Sequence, residues 1–227
     1  MPVDPAETWI FGYGSLMWNP GFAFVEARRA RLAGYHRAFC IYSIHYRGTQ
    51  RQPGLVLGLD RGGACDGIAF RVAPEQRQAA LDYVRRRELI YGVYREALLP
   101  VDIAHTETAP RRTAWAVTYI AERAHPAYAG CLPLAREASL IRRSAGRGGT
   151  NLDYLLSTLR HLKEIGITEP RLTRLLALTG SFAARSANAG NTGQSPTAAL
   201  TRAWAARGLD APRTVRDNRF GYRARRS

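Results

Sequence analysis

Two features of the sequence carry residue types that do chemistry: the run Ile10-Phe11-Gly12-Tyr13-Gly14-Ser15-Leu16 and the carboxylate of Glu88. The first is apolar and aromatic and then breaks at Gly-Tyr-Gly-Ser, which predicts a strand running into a tight loop. Glycines there allow positive φ and a close approach of backbone to a ligand. Several N–H groups turned into one concavity make an anion site suited to a carboxylate. Taken alone, a Gly-x-Gly-Ser turn is often no more than a turn, and it lacks the spacing of a Walker loop or a dinucleotide fingerprint. Ser15 is not set up as a nucleophile, because the G-x-S-x-G elbow is missing: Met17 stands at its second glycine position. A backbone or hydroxyl binding role is the better expectation.

Glu88 falls in helical register with Ala80, Leu81 and Val84, on the apolar stripe of a segment that reads as a helix. A carboxylate on that stripe points inward. It also sits near the helix C-terminus, where the macrodipole disfavours negative charge, so burial and dipole both raise its pKa toward the range of a neutral-pH proton carrier. The competing reading is a structural ion pair with Arg85, Arg87 or Arg95.

The elements that must position these groups follow from periodicity and punctuation. Strands are predicted at Trp9 to Tyr13, Arg28 to Leu32, Tyr35 to His45, Leu55 to Leu59 and Gly67 to Val72. The last two are joined by Asp60-Arg61-Gly62-Gly63, which reads as the turn of an antiparallel hairpin. Pro74 opens a helix that runs to about Leu89 before Gly92. Glu96 to Ile103 and Ala114 to Ala121 form a second strand pair around a polar loop holding Pro110. Helices follow at Leu134 to Ser144, Leu152 to Ile165 and Arg171 to Leu178, with Gly166 as a C-terminal cap. Strands first and helices after, with one early crossing helix, predict an α+β domain over residues 1–180. Its sheet is mixed, mainly antiparallel, and curled into a small barrel with surrounding helices.

Residues 181–227 read as a basic linker and tail without fixed structure, apart from a short helix near Ala199 to Arg207. The formal charge of +15 is spread unevenly: residues 1–179 hold 24 Lys+Arg against 16 Asp+Glu, and the remainder 9 against 2. Lys163 is the one lysine among 33 basic residues, which signals a bias toward arginine rather than a phosphate-binding design. With no helix-turn-helix, zinc-finger or RNA-binding signature, specific nucleic-acid binding is not expected. Cys40, Cys65 and Cys131 are few and widely spaced, and the five histidines form no metal-ligand pattern, so neither disulfides nor a zinc site is expected. The N-terminal residues lack the pattern of a secretory signal, and no apolar run approaches the roughly 20 residues of a membrane span. The expected location is the cytoplasm.

Beyond these local features, the chain resembles a known family. Trp9 to Pro20 is similar to the N-terminal signature of ChaC-like gamma-glutamylcyclotransferases. Further blocks match in order: Gly34-Tyr35-His36-Arg37, Arg47-Gly48-Thr49, Pro53 to Leu59, Gly67 to Val72, Arg87-Glu88 with Gly92-Val93-Tyr94, His125 to Gly130, and Gly146 to Leu155. The matches are colinear from Trp9 to about Leu178.

The resemblance implies cyclisation of a gamma-glutamyl compound, foremost glutathione, to 5-oxoproline with release of cysteinylglycine, without metal or organic cofactor. It maps the substrate loop onto Ile10, Phe11, Gly12, Tyr13, Gly14 and Ser15, and the catalytic carboxylate onto Glu88. Arg37, after Gly-Tyr, is a candidate for neutralising a substrate carboxylate. Tyr154, in the first turn of a helix behind a glycine-rich loop, is a candidate to reach a ligand with its hydroxyl. The segment Ile41-Tyr42-Ser43-Ile44-His45-Tyr46 departs from the family's wording. That departure keeps open a cyclotransferase for other gamma-glutamyl amines, and the basic tail keeps open a non-catalytic basic adaptor on the same fold.

Overall fold

The computed structural model describes residues 7–104 and 112–185. Five strands close into a barrel in the order β1, β3, β2, β4, β5: β1 (Thr8–Gly12), β2 (Glu26–Ser43), β3 (Gly54–Val72), β4 (Tyr94–Ile103) and β5 (Arg112–Ala121). All pairings are antiparallel except that of β1 with β5, Trp9 against Ala116 and Ile10 against Val117, which closes the barrel in parallel. The sheet is thus mixed and mainly antiparallel, as the order of predicted elements implied.

β1 is buried throughout because both of its faces are covered. Trp9 and Phe11 enter the large core formed by the barrel and the C-terminal helices, whereas Ile10 packs with Leu16, Val72, Ala80, Leu81 and Val84 under the crossing helix. That helix, α1 (Arg77–Glu88), follows a short 3-10 turn at Pro74–Gln76.

The hairpin predicted around Asp60 to Gly63 does not form. Gly54 to Val72 is one continuous strand, and both of its halves pair with β2 rather than with each other. Gly62 and Gly63 do adopt positive φ, +100° and +67°, but they spend it on a bulge. Ala33 pairs with Ala64 and Tyr35 with Arg61, so the two glycines face Gly34 alone, itself at φ +81°. One extra residue on β3 bends the ribbon instead of reversing it. The same bulge joins Arg28 to Leu32 and Tyr35 to His45 into the single strand β2.

A second bulge lies higher up. Ala38 pairs with Gly58 and Ile41 with Val56, which sets Phe39 and Cys40 against Leu57. In this half of β3 the edge away from β2 has no neighbouring strand among the described residues. Leu55 and Leu57, two residues apart, address that open edge with their backbone groups, and side chains close it.

After β5 come α2 (Leu134–Arg143), a two-residue hairpin of β6 (Ala145–Gly146) and β7 (Gly149–Thr150), α3 (Asn151–Glu164) and α4 (Pro170–Arg185). α3 starts at Thr150, whose hydroxyl accepts from the Asp153 N–H. It ends at Gly166, φ +68°, where the N–H groups of Gly166 and Ile167 bond back to Lys163 and Leu162. α4 continues to Arg185, past the end at Leu178 that its periodicity suggested. The Pro110 loop and the tail beyond Arg185 lie outside the described residues.

Asn151 is the tie between α3 and the barrel. Fully buried, it accepts from the Leu55 N–H at 2.6 Å and donates to the Leu55 carbonyl at 2.7 Å, pairing with the open edge of β3 as a strand would. Asn151→Ala leaves two buried backbone groups without partners, at about 1–3 kcal/mol each. The expected result is a lowered urea midpoint for a loss of about 2–6 kcal/mol. An unchanged midpoint would show that water replaces the amide.

Candidate active site

The site is assembled where the glycine loop, the end of α1, the start of β4 and the first turn of α3 meet at that open edge. Gly12 to Ser15 leaves the top of β1 and folds straight into a 3-10 turn, Ser15–Met17. Neither Gly12 nor Gly14 takes up positive φ, contrary to the expectation for this loop. Gly12 is needed for close approach instead: a Cβ there meets the Leu16 Cβ at 3.0 Å and the Met17 nitrogen at 3.3 Å. The N–H groups of Gly14, Ser15 and Leu16, at the start of the turn, make no hydrogen bond among the described residues.

Glu88 is the last residue of α1, and its side chain is 18% exposed. Ala80, Leu81 and Val84 are buried below it, as the helical register predicted. Of the three arginines considered as partners, Arg85 is taken by Glu96 in a two-pronged contact and Arg95 lies 4.0 Å from Glu122. Arg87 is the one that reaches Glu88, with Nε 3.3 Å from Oε1. Its other two nitrogens donate to the Ser15 hydroxyl and the Asn19 carbonyl, both at 2.6 Å. One guanidinium therefore ties the glycine loop to the helix end that carries the carboxylate. The adjacent Arg87-Glu88 pair was visible in the sequence, but the reach of Arg87 back to Ser15 was not.

Burial raises the Glu88 pKa, and the adjacent Arg87 offsets only part of that rise. A carboxyl raised above its ordinary 4.5 on folding stabilises the native state most at low pH, and the contribution is lost as pH rises through the folded-state value. At neutral and higher pH the fold bears the cost of a charge held in a dry place. Glu88→Gln removes that cost, so the variant is expected to melt above the wild type at about pH 8, with the gap closing near pH 4. Thermal unfolding at the two pH values decides it, and a variant that melts lower at pH 8 would contradict the burial argument.

Tyr13, Tyr94 and Tyr154 surround the carboxylate with their phenols, and a fourth phenol, Tyr119, lines the same pocket with its hydroxyl donating to Glu96. Tyr13 and Tyr94 are both raised well above the ordinary tyrosine value by burial, and Tyr154 is pushed up to about 12 by the same cause. All three stay protonated and act as donors or neutral walls. Tyr94 donates to the Leu57 carbonyl at 2.6 Å, and the Tyr154 hydroxyl is held by the Leu57 backbone. Tyr154 stands one turn after Asn151 on the same face of α3, so the bond of Asn151 to Leu55 sets the height of Tyr154 at Leu57. Leu57 thus serves the site through its backbone at the second bulge, which no side-chain pattern signals.

A small inner pocket of about 50 Å³ is lined by Tyr13, Gly14, Ser15, Leu57, Glu88, Tyr94 and Tyr154, among others. It shares Ser15, Glu88, Tyr94 and Tyr154 with an outer cleft of about 680 Å³ that includes the departing segment Ile41 to Tyr46. Of the residues expected to bind, the structure brings Tyr13, Gly14, Ser15 and Tyr154 together around Glu88. Ile10 and Phe11 lie within the β1 ladder with their side chains in two separate cores, and neither they nor Gly12 lines the pockets.

Arg37 also stands apart from the pockets. Only 3% exposed, it donates to the Tyr13 and Asp66 carbonyls at 2.6 Å each and pairs with Glu169. Its charge is spent on the protein, and it braces the glycine loop from behind instead of facing a substrate. Among the described residues no cluster of His, Cys, Asp and Glu has the makings of a metal site, and no helix is long and apolar enough to cross a membrane.

Comparison with known proteins agrees with this architecture. Residues 8–181 match the ChaC-like protein family. The glutathione-specific gamma-glutamylcyclotransferase of Escherichia coli strain K12 is 38% identical over 173 residues, 76% of this chain and 73% of that protein. The human glutathione-specific gamma-glutamylcyclotransferase 1 is 37% identical over 155 residues, 67% of this chain and 68% of that protein. In fold, the chain is similar to the crystal structure of a glutathione-specific gamma-glutamyl cyclotransferase from yeast. The TM-score is 0.69 at 21% identity, covering 78% of this chain and 97% of that one. With a family match across most of its length and relatives above 30% identity, this chain belongs to the ChaC-like family.

Proposed function

We propose that this chain is a gamma-glutamylcyclotransferase acting on glutathione, with Glu88 as the acid/base. The observation that carries the reading is Glu88 itself: a mostly buried carboxylate with a raised pKa, facing a pocket rimmed by the glycine loop and tied to it by Arg87. The choice of glutathione is supported by the activity in the names of its relatives.

The chemistry follows from what such a pocket does. The α-amino group of a gamma-glutamyl compound is an ammonium at neutral pH and cannot attack until a base removes a proton. Glu88 takes that proton. The freed nitrogen attacks the γ-carbonyl carbon of the same molecule and forms a five-membered ring with an oxyanion. The ring nitrogen gives up its second proton as the intermediate collapses and the amide C–N bond breaks, and the departing nitrogen takes that proton and the one held by Glu88, leaving as an ammonium. Glutathione becomes 5-oxoproline and cysteinylglycine with no water consumed and no covalent enzyme intermediate.

Because the attack is intramolecular, the main task is to hold the glutamyl chain folded, an effect worth up to roughly 7–11 kcal/mol. The unpaired N–H groups of Gly14, Ser15 and Leu16 are the donors for the substrate's α-carboxylate or for the oxyanion. Tyr13, Tyr94 and Tyr154 exclude water from the inner pocket. Incubation with glutathione and with several gamma-glutamyl dipeptides, followed by mass detection of 5-oxoproline, tests the reading. Preferential release from glutathione is expected, and equal or better turnover of the dipeptides would move the assignment to a broader gamma-glutamyl amine cyclotransferase.

A further inference from the structure

The proposed reaction leaves unassigned what receives the departing half of the substrate, and the inference made here rests on that reading. Among the described residues, Glu88 is the one carboxylate lining the outer cleft, against the three guanidinium groups of Arg47, Arg86 and Arg87. Arg87 is committed to Glu88, Ser15 and Asn19, and Arg86 is exposed to solvent. Arg47 is different on both counts. It is half-buried, yet its guanidinium makes a single hydrogen bond among the described residues, Nη1 to the Thr150 carbonyl at 3.3 Å, and its nearest carboxylate influence, Asp153, acts at longer range without forming an ion pair.

Its placement is fixed from both sides. The Arg47 N–H donates to the Ser43 hydroxyl at 3.0 Å, and the carbonyls of His45 and Tyr46 accept from the N–H groups of Arg147 and Gly148 in the β6–β7 turn. The guanidinium lies 5.2 Å from the centre of the Tyr154 ring, and that residue also lines the inner pocket beside Glu88. Tyr154 thus separates the reacting end of the cleft from a cation with unfilled donors. A half-buried guanidinium left short of partners is costly until a ligand supplies them, and its planar fork matches a carboxylate. A leaving amine that is a dipeptide places its terminal carboxylate within about 7 Å of the scissile bond when extended.

We propose that Arg47 is a specificity-determining residue that binds a terminal carboxylate on the leaving amine, so that the enzyme selects anionic, peptide-like leaving groups over neutral ones. The segment Ile41 to Tyr46 leads directly into Arg47 and lines the same cleft, so the part of the sequence that departs from the family's wording is the part that shapes this contact.

The test compares glutathione with its glycyl monoethyl ester, for the wild type and for Arg47→Met, with 5-oxoproline as the readout. The wild type is expected to favour the free acid by about 10- to 100-fold in kcat/KM. In Arg47→Met that ratio is expected to fall to about 1, with the change carried by KM for glutathione rather than by kcat. Arg47→Gln keeps a donor for the Thr150 carbonyl and is the second variant, with the same expectation, should the methionine variant unfold. A wild type that does not distinguish acid from ester, or variants that lose both substrates in parallel, would overturn the role of Arg47 alone. Absence of 5-oxoproline from either substrate with the wild type would instead overturn the reaction itself and this inference with it.

Discussion

Glu88→Gln is expected to lower kcat for 5-oxoproline formation by about 100- to 10,000-fold while leaving KM for glutathione nearly unchanged. The amide has the shape of the carboxyl and keeps the packing over Ala80, Leu81 and Val84, but it cannot take a proton from the substrate ammonium. Removal of the buried charge also predicts a variant at least as thermostable as the wild type at neutral pH, because burial raises the Glu88 pKa. The combination is diagnostic: a catalytic group held at a cost to the fold is lost with a gain in stability. Glu88→Asp tests position separately, since retracting the carboxyl by about 1 Å while keeping its charge is enough to cost roughly 100-fold. Near wild-type turnover by Glu88→Gln would remove the residue from the chemistry.

Arg37→Met is expected to destabilise the fold by about 3–5 kcal/mol, read as a shifted urea midpoint. The buried guanidinium holds the Tyr13 and Asp66 carbonyls and pairs with Glu169, and methionine fills its volume without replacing any of these bonds. Since Tyr13 lies within the glycine loop, the same change is expected to lower kcat through loop misplacement. A substrate-binding arginine would behave otherwise, with KM raised and stability kept. That outcome would return Arg37 to the role its sequence position suggested.

Much of the architecture was readable locally. An apolar aromatic run that breaks at glycine predicts a strand end, and a carboxylate in an apolar helical stripe is expected to face inward; those two features singled out the loop and Glu88, and the family resemblance, rather than either feature alone, gave them their roles. Gly62-Gly63 was misread because a hairpin turn and a bulge make the same local demand for positive φ. They differ only in whether the flanking segments pair with each other or with a third strand, and that is decided by residues some 30 positions away in β2. Arg37 failed for a related reason. Its residue type and neighbours placed it on a strand near the loop, but not on which side of the loop. Behind the loop it meets Glu169, the residue just before α4, a contact across 132 positions. Leu57 offered no signal at all, because its part is played by a backbone carbonyl and N–H exposed by a bulge opposite Phe39 and Cys40. Tyr94 stood in a matched block but lacked a reason to face inward until its hydroxyl was seen on that carbonyl.

The central claim is that the γ-glutamyl group is cyclised by its own amine rather than hydrolysed. Mass analysis of products from glutathione and the purified protein tests it most directly. The account predicts 5-oxoproline and cysteinylglycine in equal amounts, with no oxygen-18 in the 5-oxoproline when the reaction is run in labelled water. Free glutamate as the matching product, or no cleavage of glutathione, would contradict it.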